Sequence, residues 1–323
     1  GKCTYFKTAV AQYFPMSLKH VLSVSQFMDT ALLGELFSRA ALLEQLDKQS
    51  NLQPTLNRKT LATLFYEPST RTRFSFESAM QKLGGNVLTT ESAAMFSSAI
   101  KGESLEDTIK VTVGYADAIV LRHPEQGASA RAAAVSEVPI INAGDGPGEH
   151  PTQALLDIYT IKKELGEIEN INVAMVGDLL YGRTVHSLLQ LLSLFPGVEM
   201  YFVSPPQLAL PQVYRDFLKN KGVKFTELNS FESILPDVDV LYTTRIQKER
   251  FASIEDYNAL KDSYLIDMSI VKKMKETAVL LHPLPRVGEI LPEVDSDPRA
   301  AYFRQAKNGL YVRMALLEKV LKG

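Results

Sequence analysis

The order of elements constrains this chain most: short apolar strands alternate with helical periodicity along most of its length, the pattern of parallel sheets whose crossovers are helices. Residues 60–66 read as a buried strand, 67–69 as a tight loop, and 70–83 as a helix stopped by Gly84 and Gly85. Upstream, Leu32, Leu33, Leu36, Phe37, Ala40 and Leu43 recur at three- and four-residue spacing behind Asp29, predicting a capped helix. Further short strands are expected at 86–90, 117–121 and 138–142. A Gly-rich loop at 143–148 then leads into a helical stretch at 150–165, and the pattern restarts. Strands are predicted at 171–176, 198–203, 238–243, 264–267 and 278–282, with a helix at 183–194. The expected fold class is α/β, two domains, each a parallel sheet flanked by helices. With 323 residues and roughly 100 to 200 per domain, the division is placed at 1–149 and 150–304. Asp297 and Pro298 predict the start of a last helix, with a break at Asn308 and Gly309; its final part, about 305–323, is expected to pack back onto the first domain.

Composition removes several function classes. Thirty-five Lys+Arg against 37 Asp+Glu give a net charge of -2, without the basic excess of a nucleic-acid binder. No apolar run approaches the ~20 residues of a membrane span, so neither nucleic acid nor membrane is an expected partner. Cys3 is the single cysteine and has no intrachain partner; with no Cys/His cluster at ligand spacing, neither a structural metal nor a cofactor is expected. A reducing compartment fits. The cytoplasm is the expected location, with a plastid after leader removal as the alternative, since the first 20 residues begin at Gly1 and read as a trimmed leader.

Chemistry is sought in loops at the carboxyl ends of strands, where open parallel sheets place their ligands. Ser69, Thr70, Arg71 and Thr72 stand at a helix start, where unpaired backbone N–H groups and the positive helix end favour an anion; hydroxyls and a guanidinium make it a phosphate cradle. The plainer reading is that Ser69 merely caps the helix and Arg73 pairs with Glu77. Arg122 follows the strand at 117–121. His150 and Gln153, three residues apart on one helix face, can both donate toward one carbonyl or phosphate oxygen. His20, His123, His186 and His282 are expected to be structural. The loop at 177–184 lacks the dinucleotide fingerprint and instead presents Arg183. Arg245, in 244–248, adds a second guanidinium, and two such forks hold two carboxylates. His282-Pro283-Leu284-Pro285-Arg286 forms a rigid turn whose carbonyls can meet an amine or amide.

Taken together and in order, these segments resemble the aspartate carbamoyltransferase catalytic-chain family over roughly 22–322. The resemblance runs through FYEPSTRTRFSFE at 65–77, KGESLEDT at 101–108, LRHP at 121–124, HPTQ at 150–153, GDLLYGRTVHS at 177–187, TRIQKER at 244–250 and HPLPR at 282–286. It implies carbamoyl phosphate and L-aspartate as substrates, and N-carbamoyl-L-aspartate and phosphate as products, in pyrimidine (UMP) biosynthesis. It further implies that Ser69, Thr70, Arg71 and Thr72 hold phosphate, and that Arg122, His150, Gln153, Leu284 and Pro285 complete that site. Thr72, Arg122 and His150 would polarise the carbonyl. Arg183, Arg245, Gln247 and Lys101 would grip aspartate, with Ser97 and Lys101 supplied by a neighbouring copy in a homotrimer. Regulatory chains or fused pyrimidine enzymes are further possible partners.

The residue types support this independently. Two substrates bringing about four negative charges into one cleft need offsetting, and Arg71, Lys101, Arg122, Arg183 and Arg245 provide five positive charges. No nucleophile stands beside a base, which favours direct attack by an amine over a covalent intermediate. The alternatives are an ornithine carbamoyltransferase, whose acceptor would bring a cation to Arg183 and Arg245, and a non-catalytic carbamoyltransferase-like scaffold.

Overall fold

The computed structural model describes residues 18–91, 101–246 and 253–322. Among the described residues, nine strands fall into two wholly parallel sheets. The first holds β1 (Thr60–Phe65), β2 (Asn86–Glu91), β3 (Ala118–His123) and β4 (Ile140–Asp145) in the order β2-β1-β3-β4. The second holds β5 (Asn172–Val176), β6 (Glu199–Val203), β7 (Lys224–Leu228), β8 (Val240–Thr243) and β9 (Val279–Leu281) in the order β7-β6-β5-β8-β9. Each order reverses once, between β1 and β3 and between β5 and β8. Such reversals open a crevice where the flanking strand-to-helix loops diverge, and the polar clusters at Ser69, Arg122, Arg183 and Arg245 sit at those two points.

The central strands are buried on both faces, as parallel sheets covered by helices require. Asp29 caps helix Thr30–Lys48 through the backbone N–H groups of Ala31 and Leu32. One hydrophobic core joins the two sheets through the bridging helix Pro151–Leu165, which is buried from Pro151 to Ile161, and through helix Tyr302–Lys322. The latter is tied to early parts of the chain: Tyr311 Oη donates to Asp47 at 3.0 Å, Arg39 Nη2 to Glu318 at 2.9 Å, and Arg313 Nη1 to Ser75 at 3.0 Å.

Three sequence expectations are corrected. Residues 264–267 do not form a strand; a 3-10 turn, Asp262–Tyr264, leads into a single bridge between Ile266 and Ile290. The last helix starts at Tyr302 rather than at Asp297 and Pro298, because the Asp297 carboxylate is paired with Arg299 and the chain first makes a bridge from Ala300 to Leu280. Nor do Asn308 and Gly309 break that helix. Asn308 donates to Thr160 and accepts from Lys163, and Gly309 lets the bridging helix approach so closely that a β-carbon there would lie 3.0 Å from Leu156. Strand β7 was not expected; it is a polar edge strand.

Candidate active site

The carboxyl ends of β1, β3, β4, β5, β8 and β9 open into one cleft of about 1000 Å³. Three helices, Thr70–Lys82, Pro151–Leu165 and Arg183–Leu192, start at its wall. Their first residues follow Ser69, His150 and Gly182, and none of these caps its helix with a side chain. Three uncapped helix starts direct positive potential and free N–H groups into one space. The simple capping reading of Ser69 therefore fails, since its hydroxyl makes no cap bond. The plain reading of Arg73 holds: its Nη1 lies 3.7 Å from Glu77 Oε1, and it also bonds Thr89 and Glu91 at 3.1 and 3.0 Å, away from the cleft wall.

Arg71, Arg122, Arg183, Arg245 and Arg313 all line the cleft, with Glu67 as a nearby carboxylate. Arg122 Nη1 donates to Ala143 O at 3.1 Å, and its Nε lies 3.7 Å from Glu67. Arg183 donates to Gly146 O from the opposite lobe. The two guanidinium groups converge on Gly144, where a β-carbon would stand 3.1 Å from Arg122 Nη1 and 3.2 Å from Arg183 Nη2. Gly144 has φ +117°, and its N–H is held at 2.8 Å by Asn142 Oδ1, so the loop is built around the missing side chain. Burial, with Arg183 alongside, lowers the Arg122 pKa to about 10; burial also lowers those of Arg71 and Arg183. Like charges held together at the expense of their hydration define an anion site.

His150 is buried at 5% exposure, and its Nδ1 has no partner among the described residues. Burial, then Arg183, Arg313 and Arg122, hold its pKa well below the ordinary value, so the ring is neutral. A neutral ring can donate one N–H to a carbonyl oxygen without adding charge. Gln153 lies beside it, but its amide nitrogen donates to Asp157 Oδ1 at 2.8 Å; its carbonyl oxygen carries no partner among the described residues. One amide hydrogen is thus committed to Asp157, and the carbonyl oxygen is left available beside His150. Thr72 is buried at the cleft wall.

On the other lobe, Gly177 lets the loop after β5 pack against Thr244, so that Arg183 and Arg245 share one rim. Leu284 and Pro285, in the turn after β9, line the same cleft. Leu284 N–H donates to His282 Nδ1 at 2.7 Å; this places the ring proton on Nε2, which donates to Glu289 at 2.7 Å and closes the turn. The structural roles expected of the other histidines are visible too: His20 and His123 accept backbone N–H groups, and His186 meets Leu179 O at 2.7 Å. Lys101 is exposed and lies outside this chain's own cleft. Ser97 and Gln247 fall outside the described residues. Sequence reasoning missed Glu67, Asp157, Tyr242, Gln305 and Arg313; for Asp157 and Arg313 the available signal was a polar side chain set within an apolar helical run.

A profile of the aspartate/ornithine carbamoyltransferase carbamoyl-P binding domain matches residues 19–163, and one of the Asp/Orn binding domain matches 169–320. The chain is 50% identical over 323 residues to "Aspartate carbamoyltransferase, chloroplastic" of Arabidopsis thaliana, covering all of this chain and 83% of that one. The chain belongs to the aspartate carbamoyltransferase family. It is also 52% identical over 302 residues to part of the multifunctional protein pyr1-3 of Dictyostelium discoideum, 94% of this chain and 13% of that one. A solved aspartate transcarbamoylase from Trypanosoma cruzi, in complex with N-(phosphonacetyl)-L-aspartic acid, superimposes with a TM-score of 0.89 at 41% identity, covering 94% and 96% of the two chains. Among the described residues, no helix is long and apolar enough to cross a membrane.

Proposed function

We propose that this chain transfers the carbamoyl group of carbamoyl phosphate to the amine of L-aspartate, giving N-carbamoyl-L-aspartate and phosphate for pyrimidine (UMP) synthesis. The observation that carries the reading is the meeting of Arg122 and Arg183 over Gly144, guanidinium groups from two lobes poised for anions from two substrates. In this reading residues 1–149 form the carbamoyl phosphate half and 150–304 the aspartate half, with the last helix returning to the first.

Ser69, Thr70, Arg71 and Thr72 hold the phosphate at the start of their helix. Thr72, Arg122 and neutral His150 donate to the carbonyl oxygen, stabilising the charge that grows there as the amine attacks. The Gln153 carbonyl and the backbone of Leu284 and Pro285 accept from the carbamoyl amide. Arg183, Arg245 and Gln247 grip the aspartate carboxylates, with Ser97 and Lys101 contributed by the neighbouring copy of a homotrimer. A C–N bond forms, the C–O bond to phosphate breaks with its electron pair leaving on phosphate, and the departing phosphate takes the amine proton. Catalysis then rests on positioning and oxyanion stabilisation.

Carbamoyl aspartate should form from carbamoyl phosphate and aspartate, and no citrulline when ornithine replaces aspartate. Citrulline as the main product, or no product from either acceptor, would overturn the reading. Mixing inactive Lys101→Ala and Arg122→Ala copies should restore part of the activity if sites are shared between subunits; no recovery after verified subunit exchange would refute sharing. The chloroplastic relatives support a plastid over the cytoplasm, which import into isolated plastids by the full-length precursor would test. The match to one segment of a multifunctional protein supports fused pyrimidine enzymes as partners over separate regulatory chains.

A further inference from the structure

Behind the cleft wall lies a buried carboxylate to which the reaction assigns no role. Asp157, on the bridging helix, is fully buried. Its Oδ1 accepts from Gln153 Nε2 at 2.8 Å and from Gln305 Nε2 at 2.7 Å, and its Oδ2 meets Tyr242 Oη at 2.8 Å. Gln305 Oε1 in turn accepts the backbone N–H of His282 at 2.9 Å, at the start of the His282-Pro283-Leu284-Pro285 turn. Gln153 belongs to the bridging helix, Tyr242 to β8, and Gln305 to the last helix. A single carboxyl group therefore joins the parts of the molecule that face each other across the cleft.

An amide can present either its oxygen or its nitrogen. Beside an acceptor-only oxygen it must present nitrogen, and its own oxygen then points elsewhere. We propose that Asp157 is a positioning residue that sets the polarity of both amides, so that Gln153 turns its carbonyl oxygen to the cleft and Gln305 turns its own to the His282 N–H. The consequence is selectivity. A cleft wall that accepts hydrogen bonds prefers a donor substrate carrying N–H, a carbamoyl group, over the methyl of an acetyl group of nearly the same shape. This rests on the proposed use of carbamoyl phosphate, but it concerns binding alone and is measured without turnover.

The test compares the affinities of phosphonoacetamide and 2-oxopropylphosphonate, which differ in NH₂ against CH₃, by calorimetry on the whole protein. One hydrogen bond corresponds to a preference of about tenfold. Asp157→Leu, which lacks any acceptor, should reduce that preference by about tenfold while leaving inorganic phosphate affinity near the parent value. Asp157→Asn should keep it, because its oxygen can accept from both amides while its NH₂ donates to the Tyr242 hydroxyl. Should Asp157→Leu fail to fold, Asp157→Asn combined with Tyr242→Phe serves instead: the Asn NH₂ loses its acceptor, turns toward the glutamines, and the preference should again fall by about tenfold. A preference unchanged in Asp157→Leu or in the double variant, or lost equally in Asp157→Asn alone, would overturn the proposal. Failure of the carbamoyl-transfer reading would show separately, as absence of carbamoyl aspartate from a parent protein that still discriminates the two phosphonates.

Discussion

Replacing Arg122 with methionine should make the unliganded protein more stable while removing its response to anions. Arg122 keeps its charge in a cleft where burial and Arg183 lower its pKa to about 10. Measured from the ordinary arginine range, at about 1.36 kcal/mol per tenfold, that penalty is about 3 kcal/mol. Its sign follows from proton counts. At pH 7 the group is protonated folded and unfolded, so the penalty is fully present; it fades only as pH rises from about 10 toward the ordinary arginine range, where the folded state has released the proton first. Methionine gives up the bond to Ala143 O at 3.1 Å, about 2 kcal/mol for a charged donor; the attraction to Glu67 is already contained in the lowered pKa. The balance is a gain of about 1 kcal/mol, a rise in Tm of about 2 °C in a chain this long. The assay is thermal unfolding at pH 7.5 and fixed protein concentration, with and without N-(phosphonacetyl)-L-aspartate. The parent should gain about 2.7 kcal/mol at a hundred times Kd, and the variant almost nothing at the same concentration. A variant that melts several degrees lower without ligand yet is stabilised as strongly by the analogue would refute the view that Arg122 is held for an anion.

His150→Ala should lower kcat by about 10² to 10³, the typical loss on removing one oxyanion donor; because the His150 pKa is held well below its ordinary value, the parent's kcat should show no imidazole limb between pH 6 and 8, and NMR of the ring should find it neutral there. Gly144→Ala puts a methyl group where two guanidinium groups meet and asks alanine to adopt φ +117°, so phosphonate affinity by calorimetry should fall at least tenfold, with stability lower by on the order of 1 to 3 kcal/mol. Burial raises the Asp157 pKa to about 7; its penalty is absent below the ordinary carboxyl range, grows from about pH 4, and is complete above 7, so Asp157→Asn should be more stable than the parent by about 2 to 4 kcal/mol at pH 8 in urea unfolding, the gap closing near pH 4. Because the cations sit on two lobes, binding N-(phosphonacetyl)-L-aspartate should draw the lobes together and reduce the radius of gyration in solution scattering; superimposable free and bound profiles would exclude closure.

How far the fold could be read depended on which faces of each element are covered. β1, β3, β5 and β8 are buried on both sides and therefore show as continuous apolar runs, TLATLF and VLYT among them. The edge strand β7, KFTEL, is largely open to water and has no such signature. The run YLID at 264–267 has the composition of a strand, yet only Ile266 finds a strand partner, because the adjoining edge position is occupied by Ile290 for a single residue. Composition reports burial, and pairing depends on what the rest of the chain places alongside.

The same distinction explains the site. Arg71, Arg122, Arg183 and Arg245 were legible because each stands at or just after the carboxyl end of a strand, and a charged group there is prominent in one dimension. Asp157, Tyr242 and Gln305 were not, because their partners lie 85 and 148 residues away; Asp157 and Tyr242 stand within apolar runs that read as ordinary core, and Gln305 stands among polar neighbours that read as a solvated face. A buried carboxyl group without a partner is strongly disfavoured, so Asp157 on the covered face of the bridging helix already required donors from elsewhere in the chain. The sequence alone poses that requirement without naming the donors. In the folded chain the donors prove to be the amides that line the cleft, so the demand that satisfies the core also sets which atoms face the substrate.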